Sequence, residues 1–428
     1  MLDRAAAPRN IPEPDIALAE RLFDILKRET ADTAGVTRAA YGKGEQFAHG
    51  LVIAEAQKVG LPTWVDAGGN LYVRLEGTAP DRKTIIVGSH LDSVPMGGNY
   101  DGAAGVLSGL AIIVAWQRAG FRLADDFVVM VTRAEESNWF PHSYIGSKSA
   151  LGLLPAYALD VRRSDTGRTL ADHMTELGLK PNEVGAGVPQ IKPRDIRAYI
   201  EVHIEQGPIL IEKDLPVALV TGIRGSFRYR EARVLGEYAH SGAVPRQYRH
   251  DAVIGAADLI MRLQDEWLRL EAEGHDMVYT VGMLSTDAAQ HAFSKISGDV
   301  RLSIDVRSHN VPTLDAMRER LHRIVQDVEQ KHRVKVELGP LTGSEPAVMD
   351  AKLLDKFGTA MEQTGGLRFA MACGAGHDAA VFAGQGVPTL MLFVRNQNGS
   401  HNPDEAMELA DFGLAAGLLA NYFAHDGV

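Results

Sequence analysis

Phe127-Val-Val-Met-Val-Thr-Arg-Ala-Glu-Glu136 opens on five consecutive apolar residues and ends on two adjacent carboxylates. A run that is apolar at every position, not at every second one, is the pattern of a strand covered on both faces. A similar run, Ile85-Ile-Val-Gly-Ser-His90-Leu-Asp92, lies upstream. Between the two, Val106, Leu107, Leu110, Ile113 and Val114 recur at the spacing of a buried helix. Thr389–Val394 supplies a further apolar strand. Strands alternating with helices imply an α/β fold with helices packed on a mostly parallel central sheet.

Outward from these runs, helices are predicted over 14–30 and 43–59, and strands over 62–66, 70–75 and 84–88. The middle of the chain has a different rhythm. Residues 227–235 alternate, 250–272 are helical, 276–284 and 299–307 alternate, 312–332 are helical and 334–338 form a strand. That order, β-α-β-β-α-β, is the ferredoxin-like arrangement of an open sheet with two helices. Beyond it, helix (350–364) and apolar strand return. The chain therefore reads as a catalytic domain, 1–221 and 342–428, interrupted by an inserted α+β domain, 222–341.

Composition narrows the function. The 428 residues are 45% apolar and 23% charged, ordinary for a globular protein with a large core. The net charge of −11 argues against a nucleic-acid partner. No apolar run is long enough to span a bilayer, and Met1-Leu-Asp-Arg-Ala-Ala-Ala-Pro-Arg-Asn10 lacks the apolar core of a signal peptide, so a cytoplasmic protein is expected. Against 15 histidines there is one cysteine, Cys373, so any metal is held by imidazole and carboxylate.

Ligands in open α/β sheets bind outside the carboxyl ends of the strands, and the candidate residues sit there. His90 and Asp92 follow one predicted strand, and Glu135 and Glu136 follow another. An adjacent carboxylate pair repels unless one member binds a cation, although a solvated acidic turn has the same sequence. Asp101, in Gly98-Asn-Tyr-Asp101-Gly102, stands where a helix begins and is read either as its cap or as a ligand. Glu201, His203 and Glu205 share one face of a strand, either polar for a ligand or simply facing solvent. His401 lies in a loop beyond 389–394. Together these make a histidine-carboxylate set able to hold two divalent ions.

Gly88-Ser-His90-Leu-Asp92, Gly98-Asn-Tyr-Asp101-Gly102, Glu135-Glu136, His203-Ile-Glu-Gln206-Gly207 and Ser400-His401-Asn402-Pro403 stand in an order that resembles the dinuclear-metal, aminoacylase-like M20 peptidases. The resemblance covers nearly the whole chain. It is nearest the hydantoinase/carbamoylase branch of N-carbamoyl-L-amino-acid hydrolases, β-ureidopropionases and allantoate amidohydrolases. It implies that Asp101 bridges two divalent ions (Zn, Mn, Co or Ni), with His90 and His203 on one and Glu136 and His401 on the other. Glu135 is then the general base. The inserted domain is a lid and dimerisation domain whose His240, in Tyr238-Ala-His240-Ser-Gly242, polarises the scissile carbonyl across a homodimer. Gln206, Arg307 and Gly376 are implied substrate contacts, Arg307 gripping a carboxylate.

The implied reaction is hydrolysis of a linear amide in a small carboxylate-bearing molecule. An N-carbamoyl-L-amino acid is the first candidate, with allantoate, another ureido acid, an N-acyl amino acid or a dipeptide as alternatives. A non-catalytic protein on the same scaffold would have lost a ligand or the base, and every such position is filled. Three departures bear on the substrate. Ser294 replaces the Asn that normally shares the carboxylate with the arginine. Ser137-Asn-Trp139-Phe140 follows the Glu pair, and Arg395 begins a shortened loop before Ser400. Trp139 and Arg395 are read as new substrate contacts or as structural residues.

Overall fold

A computed structural model describes residues 11–426. Residues 1–10, on which the expectation of no signal peptide rests, lie outside it. The chain forms two compact units. One comprises the residues up to Thr221, Met349–Met371 and those from His377 on, and the other comprises Gly222–Val348 with Ala372–Gly376.

The first unit is built on a mixed sheet in the order Thr63–Val65, Leu71–Leu75, Asp126–Thr132, Thr84–His90, Ile196–Ile204, Thr389–Val394, Val217–Ile223. The four strands from Asp126–Thr132 to Thr389–Val394 run parallel, and the flanking strands pair antiparallel. The fully apolar runs occupy the parallel centre, because only there are both faces covered. Helix Ala103–Ala119 is apolar on nearly every side for the same reason: Ala103 to Val114 are all buried. The strand Ile196–Ile204 is central, so the solvent-facing reading of Glu201 and His203 falls; both side chains are fully buried.

Two regions without clear periodicity fold as helix. Ile145–Ala150, Leu170–Glu176 and Pro181–Gly185 share a separate small core around Phe140, Leu170 and Met174. Leu409–Asp426 packs onto Ala103–Ala119 and completes the main core.

In the second unit the antiparallel sheet runs Leu284–Thr286, Asp299–Ser308, Gly225–Leu235, Lys335–Glu337. Helices Ala252–Ala272 and Val311–His332 join it in one core with Phe227, Tyr229, Val300, Leu302, Ile304 and Val306. The predicted strand 276–284 is two short ones, Val278–Thr280 and Leu284–Thr286. The expected boundary at 341/342 is corrected to 348/349. Leu341–Ser344 pairs with Ser226–Tyr229 and so belongs to this unit; Ala347–Val348 groups with it while pairing with Gly222 and Ile223 at the end of Val217–Ile223. Among the described residues, no helix is long and apolar enough to cross a membrane.

Candidate metal centre

The parallel strands deliver His90 and His203 side by side, their rings 5.9 Å apart. Each turns Nδ1 toward a backbone carbonyl: His90 to Asp92 O at 3.0 Å and His203 to Ile204 O at 2.9 Å. A nitrogen facing a carbonyl carries the proton, so Nε2 of each ring keeps a lone pair, as in a metal-ligating histidine. Both lone pairs face Asp101 Oδ1, at 3.4 Å from His90 and 3.2 Å from His203. The other oxygen, Oδ2, stands 3.5 Å from His401 Nε2, which is itself 3.1 Å from Glu136 Oε1.

These spacings decide whether the residues fit a metal. Ligands about 2.0–2.1 Å from a tetrahedral ion stand roughly 3.3 Å from one another. The four separations, 3.1 to 3.5 Å, match such tetrahedron edges and lie at or beyond the long end of the ordinary hydrogen-bond range. Among the described residues, three side-chain groups have donor atoms within 4.8 Å of one another: His90, Asp101 and His203; Asp101, Glu136 and His401; and Glu201, His203 and His377. The first two divide the oxygens of Asp101 between them.

Asp101 is aimed by a γ-turn. Ala103 N donates to Asp101 O at 2.7 Å, and Gly102 between them has φ +68° and ψ −45°. That conformation is strained for residues with a Cβ. Here a Cβ would also lie 2.6 Å from the His90 ring. Asp101 is therefore not the cap of the following helix, which has no side-chain cap. Glu405 accepts from Tyr100 N (2.7 Å) and Asp101 N (3.1 Å), while Ser400 Oγ and Gln206 Nε2 donate to Asp101 Oδ2 at 2.6 and 2.7 Å. Gln206, implied as a substrate contact, here spends its amide on Asp101.

Glu135 and Glu136 leave the strand Asp126–Thr132 through Ala134, whose φ is +49°. Asp92 fixes both backbones: Oδ1 accepts from Glu135 N and Oδ2 from Glu136 N, each at 3.1 Å. Glu135 is buried, with Oε2 3.9 Å from His90 Nε2. Burial holds its carboxyl well above the usual range against the pull of His90, and Glu136, Asp378 and Asp92 add to the rise. A carboxyl so placed takes up a proton readily. Burial works against ionisation of Asp101 too, but His203, His401 and His90 draw it well below the carboxylate range. His401 is raised to about 10 by Asp101 and Glu136. The carboxylates that favour positive charge on these imidazoles would equally favour a cation among them.

Two buried groups, Asp378 and His377, escape sequence reasoning, as does the pairing of Glu201 with the first of them. Asp378, after the glycine loop, accepts from Thr132 Oγ1 and Ser147 Oγ, both at 2.5 Å. Glu201 accepts from Ser89 Oγ and Ala379 N, and burial with the nearby Asp378 raises it to about 7. His377 is buried with its ring 4.2 Å from that of His203. Strand alternation placed Glu201 on the His203 face; nothing in the sequence paired it with Asp378. Glu205, on the same face, caps Ile209–Glu212 by accepting from Ile209 N and Leu210 N.

The remaining implied residues lie in the second unit, and the departures Trp139 and Arg395 lie in the first. His240 is exposed, and its Nδ1 accepts from Gly242 N and Ala243 N, both at 3.1 Å. Nε2 is therefore the protonated nitrogen, an N–H donor turned outward. Ser294 stands next to it: Ser294 O accepts from Ser241 N at 2.8 Å, and Lys295 pairs with His240. Arg307 donates through Nη1 to Gly374 O at 3.0 Å, on the loop that also carries Gly376. Trp139 and Arg395 are structural. Trp139 is buried and donates to Ser93 O at 2.7 Å, and Arg395 is held by Asp411 and Asp214.

Comparison with known proteins agrees with this geometry. The profile of peptidase family M20/M25/M40 matches residues 86–425. The N-carbamoyl-L-amino acid amidohydrolase of Geobacillus stearothermophilus is 32% identical over 94% of this chain and 96% of its own. The allantoate amidohydrolase of Bacillus subtilis is 32% identical over 87% of this chain and 88% of its own. Among solved structures, an amidase of the hydantoinase/carbamoylase family from Burkholderia multivorans superposes with a TM-score of 0.85 at 27% identity, over 96% of this chain and 98% of that one. The chain belongs to peptidase family M20/M25/M40 and stands there among its hydrolases of linear amides.

Proposed function

We propose that the chain hydrolyses N-carbamoyl-L-amino acids to the amino acid, carbon dioxide and ammonia, using two divalent ions. His90, His203 and Asp101 would hold one ion, and Glu136, His401 and Asp101 the other; zinc, manganese, cobalt and nickel all suit these donors. The observation that carries this reading is the division of the Asp101 oxygens between two ligand groups at tetrahedral spacing. When bound, such a pair acidifies water toward neutrality and polarises a carbonyl oxygen.

Glu135 takes the proton of the attacking water and returns it to the departing nitrogen. His240, its Nε2–H turned outward by the two turn amides, donates to the developing oxyanion. Arg307 holds the substrate carboxylate. The second unit leaves Ile254, Met261, Leu284 and Phe293 exposed, which supports its use as a homodimer surface across which His240 acts. Allantoate is the second reading, because its hydrolase from Bacillus subtilis is as similar as the carbamoylase.

The test is a panel of N-carbamoyl-L-amino acids, 3-ureidopropionate, allantoate and N-acyl amino acids on enzyme reconstituted with each metal. Ammonia release from the carbamoyl amino acids in preference to the others is expected. Turnover confined to N-acyl amino acids, with no ammonia, overturns the assignment.

A further inference from the structure

Two arginines of the second unit converge on one glycine. Arg224 precedes the strand Gly225–Leu235, and Arg307 lies near the end of its neighbour Asp299–Ser308, where Arg307 pairs with Ser226. Arg224 gives its Nε and Nη2 edge to Asp276, with Nε at 2.9 Å and Nη2 at 2.5 Å from Oδ1; His309 N donates to the same carboxylate at 3.0 Å. Arg307 gives the same edge to Asp305, Nε at 3.1 Å and Nη2 at 2.8 Å. Each guanidinium is thus pinned on one side and presents Nη1 on the other. Arg307 Nη1 donates to Gly374 O, and Arg224 Nη1 lies 3.3 Å from the point a Cβ on residue 374 would occupy. The loop is tied to the same corner by Arg224 N, which donates to Cys373 O at 3.0 Å.

Asp276 and Asp305 offset part of this charge, Asp305 being shared with Arg228 and Asp276 with His309, so the pair does not call for a doubly charged ligand. What it offers is a set of N–H groups, fixed in direction, on both sides of Gly374. A single carboxylate has four lone-pair sites for such donors. Ser294 has only a short hydroxyl to offer and occupies the turn beside His240. We propose that Arg224 is a second carboxylate-binding residue, sharing the substrate carboxylate with Arg307 at the Gly374 loop and strengthening the preference for substrates that carry one. The inference rests on the proposed hydrolysis of a carboxylate-bearing amide and adds a specificity residue to it.

The test compares N-carbamoylglycine with N-carbamoylglycinamide, which lacks the negative charge, in wild type, Arg224→Ala, Arg307→Ala, the double variant and Gly374→Ala. Loss of a charge-assisted donor is expected to raise KM for N-carbamoylglycine roughly 10- to 100-fold in Arg224→Ala, with kcat within about twofold. N-carbamoylglycinamide should change little. Because the arginines share one group, the double variant should lose clearly less than the product of the single losses. Gly374→Ala leaves the Asp276 pair intact but crowds Nη1, and should raise KM in the same selective way even if Arg224→Ala folds poorly. An unchanged KM, or equal losses on both compounds, overturns the proposal. If wild type turns over neither compound, the proposed function fails instead. Calorimetric titration with N-carbamoylglycine then tests Arg224 by itself: weaker binding to Arg224→Ala supports its role, and equal binding removes it.

Discussion

Replacing Gly102 by alanine tests whether the turn at Asp101 builds the metal centre. Two costs are separable. Gly102 has φ +68° and ψ −45°, and forcing an L-residue into a sparsely populated region costs about 1–3 kcal/mol. The new Cβ would also stand 2.6 Å from the His90 ring, whereas carbon atoms rest about 3.5–4.0 Å apart. The ring must withdraw by roughly 1 Å, which opens the 3.4 Å edge between His90 Nε2 and Asp101 Oδ1 beyond tetrahedral spacing. Disturbing the groups that orient a ligand typically costs 10–100-fold in metal affinity, and about that loss is expected here.

Gly120 supplies the control. Its φ is +67°, but a Cβ there would meet nothing within 4 Å, so Gly120→Ala carries backbone strain without a clash. Both variants should lose thermal stability, and only Gly102→Ala should lose metal affinity, read by competition with a chelating dye. A Gly102→Ala protein that binds zinc or manganese within about twofold of wild type would show that the turn does not set the centre.

Glu135→Gln should retain metal content yet lose turnover by about 10²–10⁴-fold; unchanged kcat would remove its role as base. Asp92→Ala frees the amides of Glu135 and Glu136, and metal affinity and turnover should fall together by about 10–100-fold, with retained metal affinity as the contrary result. Asp258 is lowered to about 2 through His332, Lys331 and Arg262, against the opposing effect of burial. Its folded-state value is depressed, so its contribution is complete above about pH 4 and is lost as pH falls toward 2. Because the pairs are partly exposed, the contribution is about 1 kcal/mol, and Asp258→Asn should flatten the acid limb of urea-unfolding stability by that amount. Parallel acid limbs for variant and wild type would refute it.

What the sequence disclosed follows from how locally each feature is specified. The central strands were legible because burial on both faces leaves no polar position, and the metal-ligand candidates because strand ends concentrate them. The helices between 145 and 185 were not, because each has seven residues or fewer and none completes an amphipathic period. Leu409–Asp426 lacked a signal for the opposite reason, being apolar nearly all round. The boundary at 341 failed because Leu341–Ser344 is an exposed strand held by pairing alone. Arg224 and Glu405 act through contacts distant in sequence, with Asp276 and with the Tyr100 and Asp101 amides. No local pattern marks such residues.

The division of labour between Glu135 and Glu136 shows what the fold adds to a motif. Two consecutive glutamates are chemically equal as a sequence. Both lie past Thr132, where the strand has ended, so strand alternation does not set their directions. The positive φ at Ala134 and the two oxygens of Asp92 fix the peptide between them instead. Glu135 is thereby turned toward His90, and Glu136 toward His401. Glu136 is left among candidate ligands. Glu135 stands beyond hydrogen-bond distance of His90, in a buried acidic field that raises its affinity for a proton. The candidate ligand and the proposed base are thus separated by backbone direction and by Asp92, a residue that touches neither the candidate ligands' donor atoms nor the Glu135 carboxyl, only the two amides and the far side of His90. Exchanging the two roles would require re-aiming the peptide between them, which no change of side chain at 135 or 136 accomplishes.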